Sequence, residues 1–415
     1  MRKTSLALAV AASTLGLSQM ASADLIGDTK VSLEARNFYF NRDFREGAGQ
    51  SKQDEWAQGF ILRMNSGFTE GTVGFGADAI GMFGFKLDSG GGSGGSGLLV
   101  PDRSGGSQDN YSDLAVAAKA KVSNSTLRVG QMQFKNAALA SSDGRLLPQV
   151  FEAAHVVSQE VDGLMLEGAH VREVNHRNSG DYEDIAITSG GRRGITTTGG
   201  TTSDSFDFIG GTYKLTKDLS AGYYYSNLDE LYKQHSFNLV HSFALGGGNL
   251  KSDLRYARST DDGNRSNVDN KALGAMLTYS HSGHSFGLAY QKMSGDTGFA
   301  YVNGADPFLH NFVQIRDFGN KDEKSWQARY DFDFAAIGVP GLKFMTRYLS
   351  GDNIDRGVGV SEGKEWERDI DVTYTFQEGA LKNLSVRWRN AMVRDNFDRN
   401  IDENRLIVSY TLPLM

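Results

Sequence analysis

The chain has 415 residues, with 43 basic and 50 acidic side chains, 50 glycines, 5 prolines and no cysteine. Glycine without a three-residue period excludes collagen, and 24 phenylalanines with 16 tyrosines carry too much ring surface for a disordered chain. The mixed, slightly acidic charge supplies no cationic field for nucleic acid, and the lack of cysteine removes disulfides, thiolate metal sites and thiol nucleophiles.

At the start, Arg2 and Lys3 precede an apolar stretch from Leu6 to Leu17, and Ala21-Ser22-Ala23 supplies small residues for cleavage. That pattern predicts a secretory signal over 1–23 and one mature domain over 24–415. Beyond it, no stretch approaches the roughly 20 apolar residues of a membrane-spanning helix. What recurs is alternation with a period of two, the mark of strands with two unlike faces.

Such segments are predicted at 29–43, 54–67, 71–86, 110–122, 124–134, 152–172, 181–190, 205–215 and 218–227. The series continues at 231–244, 249–259, 270–281, 284–293, 323–336, 341–350, 365–377, 382–394 and 403–413, which makes eighteen. In one of them Trp326, Ala328, Tyr330, Phe332 and Phe334 share a face opposite Gln327, Arg329, Asp331 and Asp333. Near the end Leu406, Val408, Tyr410 and Leu412 oppose Arg405, Ile407, Ser409 and Thr411. An unbroken series of this kind, with tight turns such as Ser282-Gly283 alternating with long polar loops, predicts an all-β fold: a closed antiparallel transmembrane barrel of about 18 strands. The Gly/Ser-rich stretch 88–110 is expected to be a flexible loop, because no Gly-Lys-Ser/Thr follows its glycines; 295–322 is a second long loop.

Several segments resemble one family. Asn37-Phe38-Tyr39-Phe40-Asn41-Arg42-Asp43, Glu55-Trp56-Ala57-Gln58-Gly59-Phe60, Arg145-Leu146-Leu147-Pro148-Gln149 and Ser325-Trp326-Gln327-Ala328-Arg329-Tyr330 are similar to segments of the OprD-type substrate-specific outer-membrane porins of pseudomonads. The resemblance runs in order from about residue 30 to the end. It implies a pore narrowed by inward-folded loops, a loose homotrimer, and passage of small carboxylate-bearing solutes, aromatic acids or amino acids, along a row of basic residues. By the same resemblance Arg145 corresponds to a constriction-loop arginine and Asp306 to an acid on the opposing loop. Arg387, Arg389 and Arg405 match the basic row on the last strands, and Arg36 and Arg42 match basic positions on the first. The chain departs from the family at Ala153, where relatives commonly carry Gly, and at the terminal Met415.

Parity reaches the arginines independently. Arg387 and Arg389 alternate with Val386 and Trp388, Arg36 and Arg42 share a face with Ser32 and Glu34, and Arg63 lies opposite Phe60, Leu62 and Met64. Closure makes the first and last strands neighbours, so these cations are expected along one wall, where guanidiniums offer carboxylates paired donors. The competing expectation is that they only neutralise lumenal acids such as Glu34, Glu367, Asp369 and Asp371. The eight histidines form no metal-ligand spacing beyond the turn pair His281 and His284, and no cofactor or enzymatic activity is expected. A plugged barrel acting as a surface adhesin or ligand-capture protein is the alternative to a pore. Outer-membrane lipid and lipopolysaccharide are the expected surroundings.

Overall fold

The alternation becomes one wall. The computed structural model describes residues 25–103, 105–189 and 192–415, so the signal segment expected over 1–23 lies outside the described residues. The first strands are β1 (Lys30–Phe44), β2 (Lys52–Asn65), β3 (Gly74–Ser89), β4 (Asn110–Val122), β5 (Ser125–Met132), β6 (Val150–Ser158) and β7 (Leu164–Asn175). Two short strands, β8 (Glu183–Ala186) and β9 (Thr202–Ser203), follow within a loop. The wall resumes with β10 (Phe206–Lys214), β11 (Leu219–Leu228), β12 (Tyr232–Leu245), β13 (Gly248–Asp261), β14 (Asp269–His281) and β15 (His284–Ser294). It ends with β16 (Lys324–Asp333), β17 (Leu342–Ile354), β18 (Gly363–Thr375), β19 (Leu384–Asp395) and β20 (Ile401–Pro413).

Eighteen strands pair antiparallel with their sequence neighbours around the ring; β7 pairs β10 across the excursion of β8 and β9, and β1 pairs β20 to close it. Closure leaves no edge, so the wall's backbone groups find partners within the sheet. At the hairpin of β14 and β15, His281 faces His284 while Ser282 and Gly283 take φ of 48° and 84°, the left-handed pair that matches strand twist in a two-residue turn.

The predicted number of strands is right, but two segments differ. The segment 152–172 is two strands, β6 and β7, joined by a turn in which Leu164 N donates to Val161 O and Gly163 has φ of 73°. Most of 181–190 is not wall at all: β8 pairs with β7 at two positions, and Ile185 and Ile187 are buried inside the lumen. Period-two alternation marks a strand with one apolar side; it does not say whether lipid or folded loop covers that side.

Burial is inverted relative to a soluble sheet. Leu114, Ile209 and Leu288 are each about two-thirds exposed on the outside, while the polar residues that alternate with outward side chains, such as Gln291, Gln327 and Glu403, are covered. Outward rings form a belt: Tyr348 lies 5.6 Å from Trp326 and 5.7 Å from Trp366 across β16 to β18. An apolar band bounded by aromatic rings matches a bilayer interior and its interface.

Loops fill much of the interior. The Gly/Ser-rich stretch 88–110, expected to be a flexible loop, is instead anchored at several of its described residues: Leu98 and Leu99 are fully buried, and the carboxylate of Glu55 on β2 accepts from Ser96 N (3.0 Å) and from the hydroxyls of Ser96 and Ser107. Residues 133–149 and 295–323 also fold inward. Glu367 on β18 accepts from the backbone N–H groups of Ile315 (2.9 Å) and Arg316 (2.8 Å), fixing the second of these loops to the wall.

Candidate functional site

Residues 133–149 fold inward and meet the wall at the seam of β1 and β20. Leu146 and Leu147 insert into an apolar cluster with Phe38, Phe40, Ile61, Leu98 and Leu99, which sets the position of the preceding Arg145. Gly59 on β2 leaves the room this requires, since a Cβ there would lie 3.0 Å from Leu146 Cγ. Arg36 on β1 reaches the loop's main chain, donating from Nη1 to the carbonyls of Arg145 (2.8 Å) and Leu146 (3.3 Å) and to Asp143 (2.8 Å).

Arg145 itself donates only to backbone carbonyls, Ser96 O at 2.8 Å and Gly144 O at 2.9 Å, and among the described residues no carboxylate lies within 4.0 Å of it. Its guanidinium stands 5.3 Å from the centre of the Phe40 ring; so does that of Arg42, and that of Arg405 is 5.4 Å away. Phe40 is thus a ring faced by three cations, and the one carboxylate bonded among them is Glu403, held by Arg42 (2.5 Å) and Arg405 (2.6 Å) and by Gln314 Nε2 (3.0 Å). Burial, then the nearby charges of Arg405 and Arg177, push Arg145 well below its ordinary value, with Glu403 opposing.

The remaining arginines descend from this cluster along the sheet register. Arg405 pairs in register with both Phe40 and Arg389, and Arg387 lies one rung further, with rungs two residues or roughly 7 Å apart. Arg387 and Arg389 share Asp371, at 2.5 and 3.3 Å. Arg36 and Arg63 share Glu34, at 2.8 and 3.0 Å, together with Asp143. A cavity of about 300 Å³ lies between these groups, lined by Arg36, Asp143, Arg145, Arg387 and Arg389 among others. Of the other acids expected to neutralise the row, Asp369 pairs with Arg347 (2.7 Å), and Glu367 is committed to loop backbone.

Asp306 lies on the inward-folded loop after Ala305, with its N–H donating to Ala140 O at 2.9 Å. Its neighbours include Ser142, whose hydroxyl accepts from Arg177 Nη1 at 3.0 Å. Burial raises Asp306 above its ordinary value, with Ser142 and Arg177 opposing. The predicted set omitted Arg177, Asp143, Glu403 and Phe40. Arg177 and Asp143 lie in aperiodic loops. Glu403 and Phe40 were within reach, because both sit on the lumenal parity of Arg405 and Arg42.

Gly283-His284-Ser285-Phe286-Gly287 has the Gly-X-Ser-X-Gly spacing of a hydrolase nucleophile elbow, but here it opens β15. Ser285 Oγ pairs with Ser280 Oγ at 2.7 Å, and the neighbouring His284 bonds Tyr330.

A closed barrel with lipid-facing aromatic belts, whose lumen is narrowed by loops to a charged passage, defines a porin of the outer membrane, a channel rather than an enzyme. The family model for outer membrane porins of the OprD family matches residues 23–414, and the chain belongs to that family. Among its relatives, Porin D of Pseudomonas aeruginosa is 37% identical over 453 residues, covering 100% of this chain and 99% of that protein. The porin-like protein GalP of Pseudomonas putida is 36% identical over 410 residues, 97% and 96% of the two chains. The crystal structure of Pseudomonas aeruginosa OpdQ superposes with a TM-score of 0.88 at 57% identity, covering 95% of this chain and all of that one.

Proposed function

We propose that this porin passes small carboxylate-bearing solutes, aromatic acids or amino acids, through a constriction at Arg145 and Asp306 and along Arg42, Arg405, Arg389, Arg387, Arg36 and Arg63. The observation that carries the proposal is the surplus of cations at Phe40: three guanidiniums against the single carboxylate of Glu403, with Arg145 unpaired among the described residues. A permeating carboxylate supplies the missing partner through charge-assisted hydrogen bonds. Because Arg42 and Arg405 remain bound to Glu403, the arriving anion shares donors rather than capturing them, which keeps the well shallow enough for exit. At the next rung two arginines share Asp371, a smaller surplus; Arg36 and Arg63 are matched by Glu34 and Asp143, so attraction fades further along. The Asp306 carboxylate on the opposing loop favours the amino group of a dipolar solute.

The proposal includes a cleaved signal over 1–23, supported by its charged-then-apolar pattern, and a single barrel domain over 24–415. It also includes a setting of lipopolysaccharide-bearing membrane and a loose homotrimer, on the family resemblance; no cofactor takes part. The test is uptake into liposomes of benzoate-like acids, amino acids and their neutral isosteres. Arg145→Gln is expected to lower carboxylate uptake on the order of tenfold, the worth of one charged hydrogen bond, and to spare the isosteres. Arg387→Ala with Arg389→Ala should lower it too. Equal loss for acids and isosteres, or no loss from a barrel that still folds, would refute the reading.

A further inference from the structure

The outer surface of the wall carries a charge pattern that transport does not use. At the loop-bearing end, β12 to β16 each present one basic side chain outward: Lys233, Arg258, Lys271, Lys292 and Lys324 all alternate with residues covered on the lumenal side, as Lys292 does between Gln291 and Met293 at 1% exposure each. Lys233 pairs with Asp262 at 2.5 Å, and Arg258 pairs with Asp269. Lys271, Lys292 and Lys324 have no carboxylate within 4.0 Å among the described residues.

The three lie close together. Lys292 and Lys324 are direct register partners across β15 and β16, and Lys271 faces Ser294, which places it diagonal to Lys292. Like charges directly opposed on one sheet face destabilise the pair. The nearest relief in register is Asp352, opposite Lys324 on β17, and it makes no ion pair with it. Elsewhere on the rim an acid is supplied: Arg394 on β19 pairs with Asp402 on β20 at 2.8 Å. Two residues below the lysines come Tyr290 and Trp326, themselves register partners and nearly half exposed, with Leu288 and Phe286 beneath them. Rings above an apolar band mark the interface, so these ammonium groups stand at headgroup level.

We propose that Lys271, Lys292 and Lys324 form an external site for the phosphate-bearing headgroup of an outer-leaflet glycolipid. A phosphate monoester brings nearly two negative charges and three acceptor oxygens, and compact ammonium groups suit a point-charge contact of this kind. Binding removes the lysine repulsion, while the lipid's acyl chains lie along Leu288, Leu277 and Leu273, all about half or more exposed on the same strands.

The test uses the full barrel in detergent, with native mass spectrometry reading bound lipid. The probes are a bisphosphorylated glucosamine-disaccharide lipid, the same lipid with its phosphates removed, and inorganic phosphate as competitor. The phosphorylated lipid is expected to bind, and Lys292→Gln with Lys324→Gln to weaken it roughly twentyfold or more, at about fivefold per lysine. Lys292→Arg with Lys324→Arg should retain binding, and solute uptake should be unchanged in both variants. Equal binding of the dephosphorylated lipid, or undiminished binding by the Gln variant, overturns the site; displacement by inorganic phosphate at equal concentration overturns the lipid assignment. Heat-modified migration on gels reports folding. Should the double variant not fold, Lys271→Gln decides, with about fivefold weakening expected and none refuting the proposal.

Discussion

The two sides of the lumen are built on opposite principles. Along β5 to β7 and β10 to β12 the interior is an apolar core: Phe134, Phe151, Phe206 and Phe208 pack with Ile185, Ile187 and Val302, contributed by inward-folded loops. Along β1 and β16 to β20 the interior is ionic, with Arg42 and Arg405 bonded to Glu403 and with Arg387 and Arg389 bonded to Asp371. Filling one side with folded loops leaves the passage to the other, so a wall of eighteen strands encloses less open lumen than its circumference allows. The comparison also separates tasks: the dry side holds the loops in place, and the charged side is the one proposed to meet the solute.

That separation can be broken at three points. The largest effect is expected on the dry side, where Phe151→Ala should cost about 3–5 kcal/mol in urea unfolding and leave the preference for carboxylates over isosteres intact. A change in preference without loss of stability would show that the sides are not distinct. Next is Glu403→Gln, which keeps shape but leaves Arg42, Arg145 and Arg405 with no carboxylate bonded among them. It should lower stability by about 1–3 kcal/mol and reduce the half-saturating concentration for carboxylates several-fold, read in concentration-dependent uptake. The smallest concerns Asp306. Burial raises it above the ordinary value of about 3.9, so it takes up a proton while an exposed aspartate stays charged. As pH falls through that raised value, a negative charge near Arg145 disappears, and uptake of an aromatic sulfonate, whose own charge does not titrate, should rise roughly twofold. In Asp306→Asn the profile should be flat; a persistent rise would assign the titration elsewhere.

The wall was legible because lipid imposes a simple demand: each spanning segment must show one apolar face and leave no backbone unpaired. The strand number came out right through two errors that cancel. Asp162-Gly163 is a turn inside a segment whose apolar alternation continues through it, and Ile185 and Ile187 mimic a lipid-facing stripe while packing inward. The ladder arginines could be placed by parity, since strand residues have only two directions available. Phe38 and Phe40 share that wet parity with Arg36 and Arg42, and two phenylalanines facing a water column are the readable sign that a loop docks there. Which loop, and that Arg177 and Asp143 come with it, depends on contacts between residues about a hundred positions apart, such as Arg36 with Asp143, which no local period encodes.

Arg36 grips the carbonyl oxygens of residues 145 and 146, groups that every amino acid possesses. That part of the loop's anchorage is therefore indifferent to the side chains the loop displays. Substitutions outside Asp143, Leu146 and Leu147, whose side chains also hold the loop, can retune the lining while the loop stays where it is, so diversification of cargo need not be accompanied by redesign of the scaffold.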